Sequence, residues 1–166
     1  INDKRLIEAA KQYGYRIKYV LHPIVSAQVD DFDKNDYVDI IPAVGDMSYE
    51  TMFRESSLMV TDFSGIQFDF AYMRKPLVYL HHKDIPQHYE EGTFFYDTMA
   101  FGEIAHDNDE LIDLLCEYMA SGCKMKEEYV RRADDFFYYN DHNNCKRIYD
   151  TMIEYQEKKI LPYRQK

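Results

Sequence analysis

The chain has 166 residues, enough for one domain with its own core, and at 46% hydrophobic residues it is neither disordered nor fibrous. A formal net charge of -10 argues against nucleic acid as a partner, because a phosphate backbone needs a basic patch to neutralise it. No apolar run approaches the roughly 20 residues that span a bilayer, and the polar opening Ile1-Asn2-Asp3-Lys4-Arg5 has no signal-peptide h-region behind it.

In chain order, residues 3–13 read as a helix with Leu6, Ile7, Ala10 and Tyr13 on one face and Gly14 as its stop. Residues 16–21 alternate and are β-rich, a strand that runs into His22-Pro23, where proline ends sheet pairing. A short helix is expected over 24–32 and a second strand over 37–41, closed by Pro42 and Gly45. Ser48 is the expected N-cap of a helix over 48–55. The apolar run 58–61 reads as a third strand of the buried parallel kind, followed by a helix over 64–74 and a fourth strand over 77–80. This alternation is that of an α/β fold, a Rossmann-like doubly wound parallel sheet with right-handed crossovers.

From 81 to 106 the periodicity dissolves into a connection rich in His, Tyr, Phe and Gly, a length that usually carries function or lacks fixed order. Three C-terminal helices follow: 108–119, with Asn108 as N-cap and Gly122 just past its end, then 126–137 and 143–158. No repeat or low-complexity linker interrupts the chain, so 1–166 reads as a single α/β domain. An opening without Met is expected of a fragment of a longer protein. Cys116, Cys123 and Cys145 lack disulfide or zinc spacing and read as buried or half-buried thiols in a reducing, cytoplasmic setting. Phe136, Phe137, Tyr138 and Tyr139 read as core and inter-domain packing surface.

The residues with chemical potential gather at strand ends. Thr61-Asp62-Phe63-Ser64-Gly65 follows an apolar strand and precedes a helix, where ligands of open α/β sheets bind and where backbone N–H groups attract an anion. Ser64 adds a hydroxyl and Gly65 permits close approach of a phosphate, while Ser64 or Asp62 as a plain helix cap explains the same residues. His22, held by Pro23 at the end of its strand, suits a general acid/base or a donor to phosphate, and equally a turn histidine bonded to backbone. The strand end Asp39-Ile40-Ile41-Pro42 offers backbone groups to a nucleobase edge, or is simply a buried strand stopped by proline. Asp69, off the core stripe of Ile66, Phe70 and Met73 and close to Gln67, is a candidate ribose partner or a solvated carboxylate. His81, His82, Asp84 and His88 have the residue types of a metal site without its spacing, and no metal is expected there.

The order of these motifs resembles the CDP-glycerol glycerophosphotransferases, the teichoic-acid polymerases and primases of Gram-positive cell walls. The resemblance runs through Leu21-His22-Pro23, Val60-Thr61-Asp62-Phe63-Ser64-Gly65, Phe68-Asp69-Phe70-Ala71 and Lys75-Pro76-Leu77-Val78, and more weakly through Gly92-Thr93-Phe94-Phe95-Tyr96-Asp97 and the closing helix at 141–148. It implies the C-terminal, donor-binding half of a GT-B glycosyltransferase-like fold, with a partner N-terminal GT-B domain. It also implies transfer of glycerol phosphate from CDP-glycerol, or a related nucleotide-linked donor, to a polyol-phosphate or glycan acceptor that can be lipid-linked. CMP would be released, and neither metal nor other cofactor is implied. His22 would match the histidine near the pyrophosphate, Ser64 and Gly65 the pyrophosphate-binding helix start, and Ile41-Pro42 the cytosine edge. Gly65 stands where many members carry a second Ser. The family's other catalytic histidine belongs to the N-terminal half, so these 166 residues are expected to bind nucleotide without turnover.

Two other functions suit the same residues: a GT-B transferase of surface polysaccharide synthesis with a different nucleotide-sugar donor, and a non-catalytic flavodoxin-like interaction domain. The basic tail 158–166 suits a location in the cytoplasm at the inner face of the membrane, peripheral to it, or is a solvated chain end.

Overall fold

In the computed structural model, which describes residues 1–33, 35–43, 48–85, 92 and 94–158, the chain divides into two compact units, Ile1–Ala133 and Asp134–Lys166. The first unit holds strands β1 (Ile17–Val20), β2 (Val38–Ile41), β3 (Met59–Thr61), β4 (Leu77–Leu80) and β5 (Gly102–Ala105). Between and around them lie helices α1 (Lys4–Tyr13), α2 (Tyr49–Glu55), α3 (Ile66–Tyr72), α4 (Tyr96–Met99) and α5 (Asn108–Ala120). Helix α6 (Glu127–Phe136) leads out of this unit, and α7 (Asn144–Glu157) belongs to the second.

Among the described residues the strand ladders are parallel, as the helix–strand alternation requires. The ladders form two sheets, β1-β2 and β3-β4-β5, where the alternation predicts one. Side chains join what hydrogen bonds do not. Leu6, Ala9 and Ala10 of α1 and Ile112, Leu115 and Tyr118 of α5 surround Val78 of β4, and Ile17 of β1 and Leu58 pack on the same cluster. The faces of α1 and α5 are thus buried against each other and against the sheets, and burial of this apolar surface is the main driving force for the unit. Among the described residues no helix is long and apolar enough to cross a membrane.

Local signals set most element ends. The Asp3 carboxylate accepts from Arg5 N at 2.8 Å to start α1, and Gly14 ends it in the left-handed region at φ 75°. Ser48 Oγ accepts from Thr51 N and caps α2 as expected. At the other end of α2, the Lys75 ammonium donates to the carbonyls of Phe53, Arg54 and Ser56 at 2.6, 2.8 and 2.7 Å, neutralising the helix's negative end. Burial lowers the Lys75 pKa, and these carbonyls oppose that shift by favouring the charged form.

Four expectations need correction. The segment over 24–32 is a 3₁₀ helix, Pro23–Asp31, broken at Gln28. Helix α3 begins at Ile66 rather than 64, with Gly65 as N-cap and no side-chain capping bond. The connection after 80 contains α4 and β5. Gly102, Glu103 and Ala105 are weak strand formers, yet β5 pairs along all of β4, with Gly102 opposite Leu77. Helix α5 is capped by Asp107, not Asn108: the Asp107 carboxylate accepts from Glu110 N at 3.0 Å, and Glu110 accepts from His106 N at 2.7 Å.

In the second unit the Arg147 guanidinium lies 3.6 Å over the Tyr139 ring and pairs with Asp141, whose carboxyl it holds at about 2. Phe136, Tyr138 and Tyr139 are exposed, so they are not core. Cys145 is also exposed, on a helix that buries none of its residues, while Cys123 is buried and Cys116 half-buried.

Candidate functional site

The carboxyl ends of β1 and β2 bring His22, Ile41 and Pro42 together. Leu21 N donates to Ile41 O at 2.9 Å, so the ladder continues to the residue before His22. The His22 side chain is the N-cap of the Pro23–Asp31 segment: Nδ1 accepts from Ile24 N at 3.3 Å. An accepting Nδ1 puts the proton of the neutral ring on Nε2, which is then the ring's donor. The ring is exposed, so it is reachable. Sequence reasoning did not single out Ser26, which is buried and whose Oγ donates to His22 O at 3.2 Å and accepts from Ala43 N at 3.0 Å. It couples the exit of β1 to that of β2. Upstream on β2, Asp39 is engaged by Arg16, whose guanidinium holds its carboxyl below the usual range.

The carboxyl ends of β3, β4 and β5 carry the second group. Thr61 ends β3 opposite Tyr79, and Asp62, Ser64 and Gly65 form the turn into α3. Both Asp62 and Gly65 are exposed and Ser64 is half-buried. Gln67 N and Phe68 N donate to Ser64 O and Gly65 O, closing the first turn of the helix through the main chain. The N-cap is Gly65, which has no side chain to cap with, and the first-turn N–H groups of Gln67 and Phe68 take carbonyl acceptors, so Ser64 does not act as a capping serine. A Cβ at Gly65 would meet nothing within 4 Å, leaving the backbone there open to a close ligand. Asp69 stands elsewhere on α3, on the wall of a shallow groove shared with Phe53, Arg54, Met73 and Lys75.

Beneath the turn lies an aromatic and polar cluster that sequence reasoning missed. Tyr79 is fully buried; its hydroxyl donates to Gln67 Oε1 at 2.9 Å and accepts from Phe101 N at 3.3 Å. Gln67 Nε2 donates to Tyr96 OH at 3.1 Å. Burial pushes the Tyr79 hydroxyl's pKa well up, so it remains protonated and able to donate. The His81 imidazole stacks on Phe63 at 4.0 Å and 14°. No local signal marks Gln67 or Ser26; both are read only once their partners, distant in sequence, are in place. His82 Nδ1 accepts from Asp84 N at 3.3 Å, and His88 lies outside the described residues.

The first unit therefore presents two groups at parallel strand ends: a histidine with its donor nitrogen free of the capping bond beside a proline-terminated strand, and a hydroxyl-bearing turn that opens a helix. The family described as CDP-glycerol:poly(glycerophosphate) glycerophosphotransferase matches residues 1–154. The minor teichoic acid biosynthesis protein GgaB of Bacillus subtilis (strain 168) is 39% identical over 160 residues, covering 96% of this chain and 17% of that protein. The chain thus spans about a sixth of the length of this curated relative. With its family motifs at the strand ends and the match running across both units, the chain belongs to the CDP-glycerol:poly(glycerophosphate) glycerophosphotransferase family, a family of transferases.

Proposed function

We propose that this chain is the donor-binding part of a CDP-glycerol glycerophosphotransferase that extends a teichoic-acid-like surface polymer. In the reaction, a hydroxyl oxygen of the polyol-phosphate acceptor attacks the phosphorus that carries glycerol and gives up its proton to a base of the N-terminal domain. The bond from that phosphorus to the CMP oxygen breaks, and CMP leaves with the electron pair. His22 acts at this centre, its Nε2–H hydrogen-bonding the pyrophosphate and stabilising the charge that develops on the leaving CMP; one such donor contributes about 10²- to 10³-fold. The backbone at Ile41 and Pro42 meets the cytosine edge. Thr61, Asp62, Ser64 and Gly65 hold the pyrophosphate; Asp69, on the groove wall with Phe53 and Lys75, stands apart from this turn and is given no donor contact.

The observation that carries this reading is the place of the family motifs: His22 with Pro42, and Ser64 with Gly65, stand at the carboxyl ends of parallel strands in a chain matched by the family over residues 1–154. Acceptor binding and the remaining catalytic groups are assigned to a second, N-terminal GT-B domain. We place the enzyme in the cytoplasm at the inner face of the membrane, where the basic tail gains about 1 kcal/mol per Lys or Arg from anionic lipid.

Calorimetric titration of the chain with CDP-glycerol, CMP and a UDP-sugar tests the reading. Cytidine-selective binding is expected. Uridine-selective binding would support the alternative nucleotide-sugar transferase, which Gly65 keeps open by removing a second hydroxyl from the turn. No binding to any of the three would leave a non-catalytic module.

A further inference from the structure

The first residue of the pattern-free connection, His81, is placed as no loop residue would be. Its N–H donates to Ala105 O at 2.9 Å, so its main chain continues the β4–β5 ladder. Its ring lies flat on Phe63, inside the turn between β3 and α3, at 4.0 Å and 14°. Tyr96 closes the arrangement edge-on, 4.6 Å from the His81 ring and 5.4 Å from Phe63, at 81° and 88°. Tyr96 is in turn held by Gln67, in the first turn of α3. Each such aromatic contact is worth about 1 kcal/mol. The turn is therefore gripped from below by a side chain of the neighbouring strand.

We infer that His81 is a positioning residue for the phosphate-binding turn, acting through Phe63 to fix how Asp62 and Ser64 leave β3. The inference rests on the donor reading of that turn given above. It extends it to a residue that touches no ligand.

The chemistry of the ring adds a readout that simple packing would not give. His81 Nε2 is buried and has no hydrogen-bond partner among the described residues. The groups that face the ring are Asp62, Phe63, Tyr79, Tyr96 and His106. Burial lowers its pKa below the ordinary 6.5 and His106 acts the same way, against a smaller opposing pull from the Asp62 backbone and carboxylate. Protonation would place an N–H on a buried atom that lacks an acceptor. Because the neutral ring is the one the fold prefers, the grip is complete above 6.5 and is lost as pH falls through that value toward the lower pKa of the folded state.

The test is hydrogen exchange of the free chain, measured as protection factors for residues 61–66 at pH 7.5 and 5.5, beside CDP-glycerol titration. His81→Ala is expected to lower protection of 61–66 by about tenfold and to weaken CDP-glycerol binding by a similar factor, with protection of 77–80 retained. His81→Phe, which keeps a flat ring on Phe63, should restore both at pH 7.5 and remove the wild-type loss between pH 7.5 and 5.5. Unchanged protection of 61–66 in His81→Ala would overturn the inference, and so would an equal loss across 77–80, which marks a general packing role. Tighter donor binding at pH 5.5 in the wild type would also overturn it, by making the ring a ligand contact. If the wild type binds no CDP-glycerol, the donor reading falls while the exchange measurement still decides the role of His81.

Discussion

Ser64→Ala separates a phosphate-binding turn from a plain helix start. In the structure the N-cap of α3 is Gly65, with no side-chain capping bond, and Ser64 serves the helix only through its carbonyl, which accepts from Gln67 N at 3.3 Å. Alanine keeps that carbonyl. The variant should therefore change stability by less than about 0.5 kcal/mol, the usual range for substitutions outside core and caps. A capping serine would instead cost about 1 kcal/mol. Toward the donor, the hydroxyl supplies a hydrogen bond to a charged oxygen, worth about 1.5–3 kcal/mol. That corresponds to a loss of about ten- to 150-fold in affinity for CDP-glycerol. Urea unfolding gives the first quantity and calorimetry the second, with Ser64→Thr as the variant that retains the hydroxyl. An affinity within twofold of wild type, or a stability loss near 1 kcal/mol with affinity intact, refutes the reasoning.

Three further outcomes follow from the geometry. Gly102→Ala would set a Cβ 1.8 Å from the Leu77 carbonyl oxygen and 2.6 Å from its carbon, so β5 must withdraw from β4. Overpacking against backbone should cost at least about 3 kcal/mol, read as a fall in the urea midpoint. Lys75→Met removes the ammonium from three carbonyls at the end of α2 and should destabilise by about 2 kcal/mol in the same assay, while an unchanged midpoint would show that water replaces it. His22→Asn keeps a side-chain acceptor for Ile24 N, because Asn is a good N-cap, yet removes the Nε2 donor. In the full-length enzyme it should lower transfer by about 10²- to 10³-fold with the fold intact, and near wild-type turnover would exclude His22 from the chemistry.

The elements legible in the sequence are those whose signals are local. Gly14 beyond an amphipathic run, Ser48 before one, and short apolar strands ended by proline each act within a few residues. Strand β5 was hidden because its residues answer to distant partners. Gly102 is small because Leu77 lies against it, and Glu103 is tolerated because Tyr118 OH donates to it at 2.6 Å and Lys126 pairs with it at 2.5 Å. The α5 cap was misjudged by one residue although its signal was present: Asp107 and Glu110 have capping-box spacing, and either Asp107 or Asn108 is a competent cap. At the site, His22 and Ser64 could be picked out because each sits at a strand-to-helix turn. The support beneath them could not, since Gln67, Tyr79 and Tyr96 are 12 and 29 residues apart along the chain at their hydrogen bonds. His81 was weighed only as a metal ligand, a question of spacing, whereas its place is decided by the ring of Phe63.

The buried hydroxyl of Ser26 has a further consequence. It bonds at once to the main chain of His22 and of Ala43, so the segment read as contacting the base and the segment read as assisting the chemistry share one rigid hinge pin. A change of donor base that remodels the chain after Ile41 would swing the imidazole as well. On that reading, selectivity and turnover would drift together, and a successful specificity swap would have to replace Ser26, His22 and the 41–43 segment as one cassette.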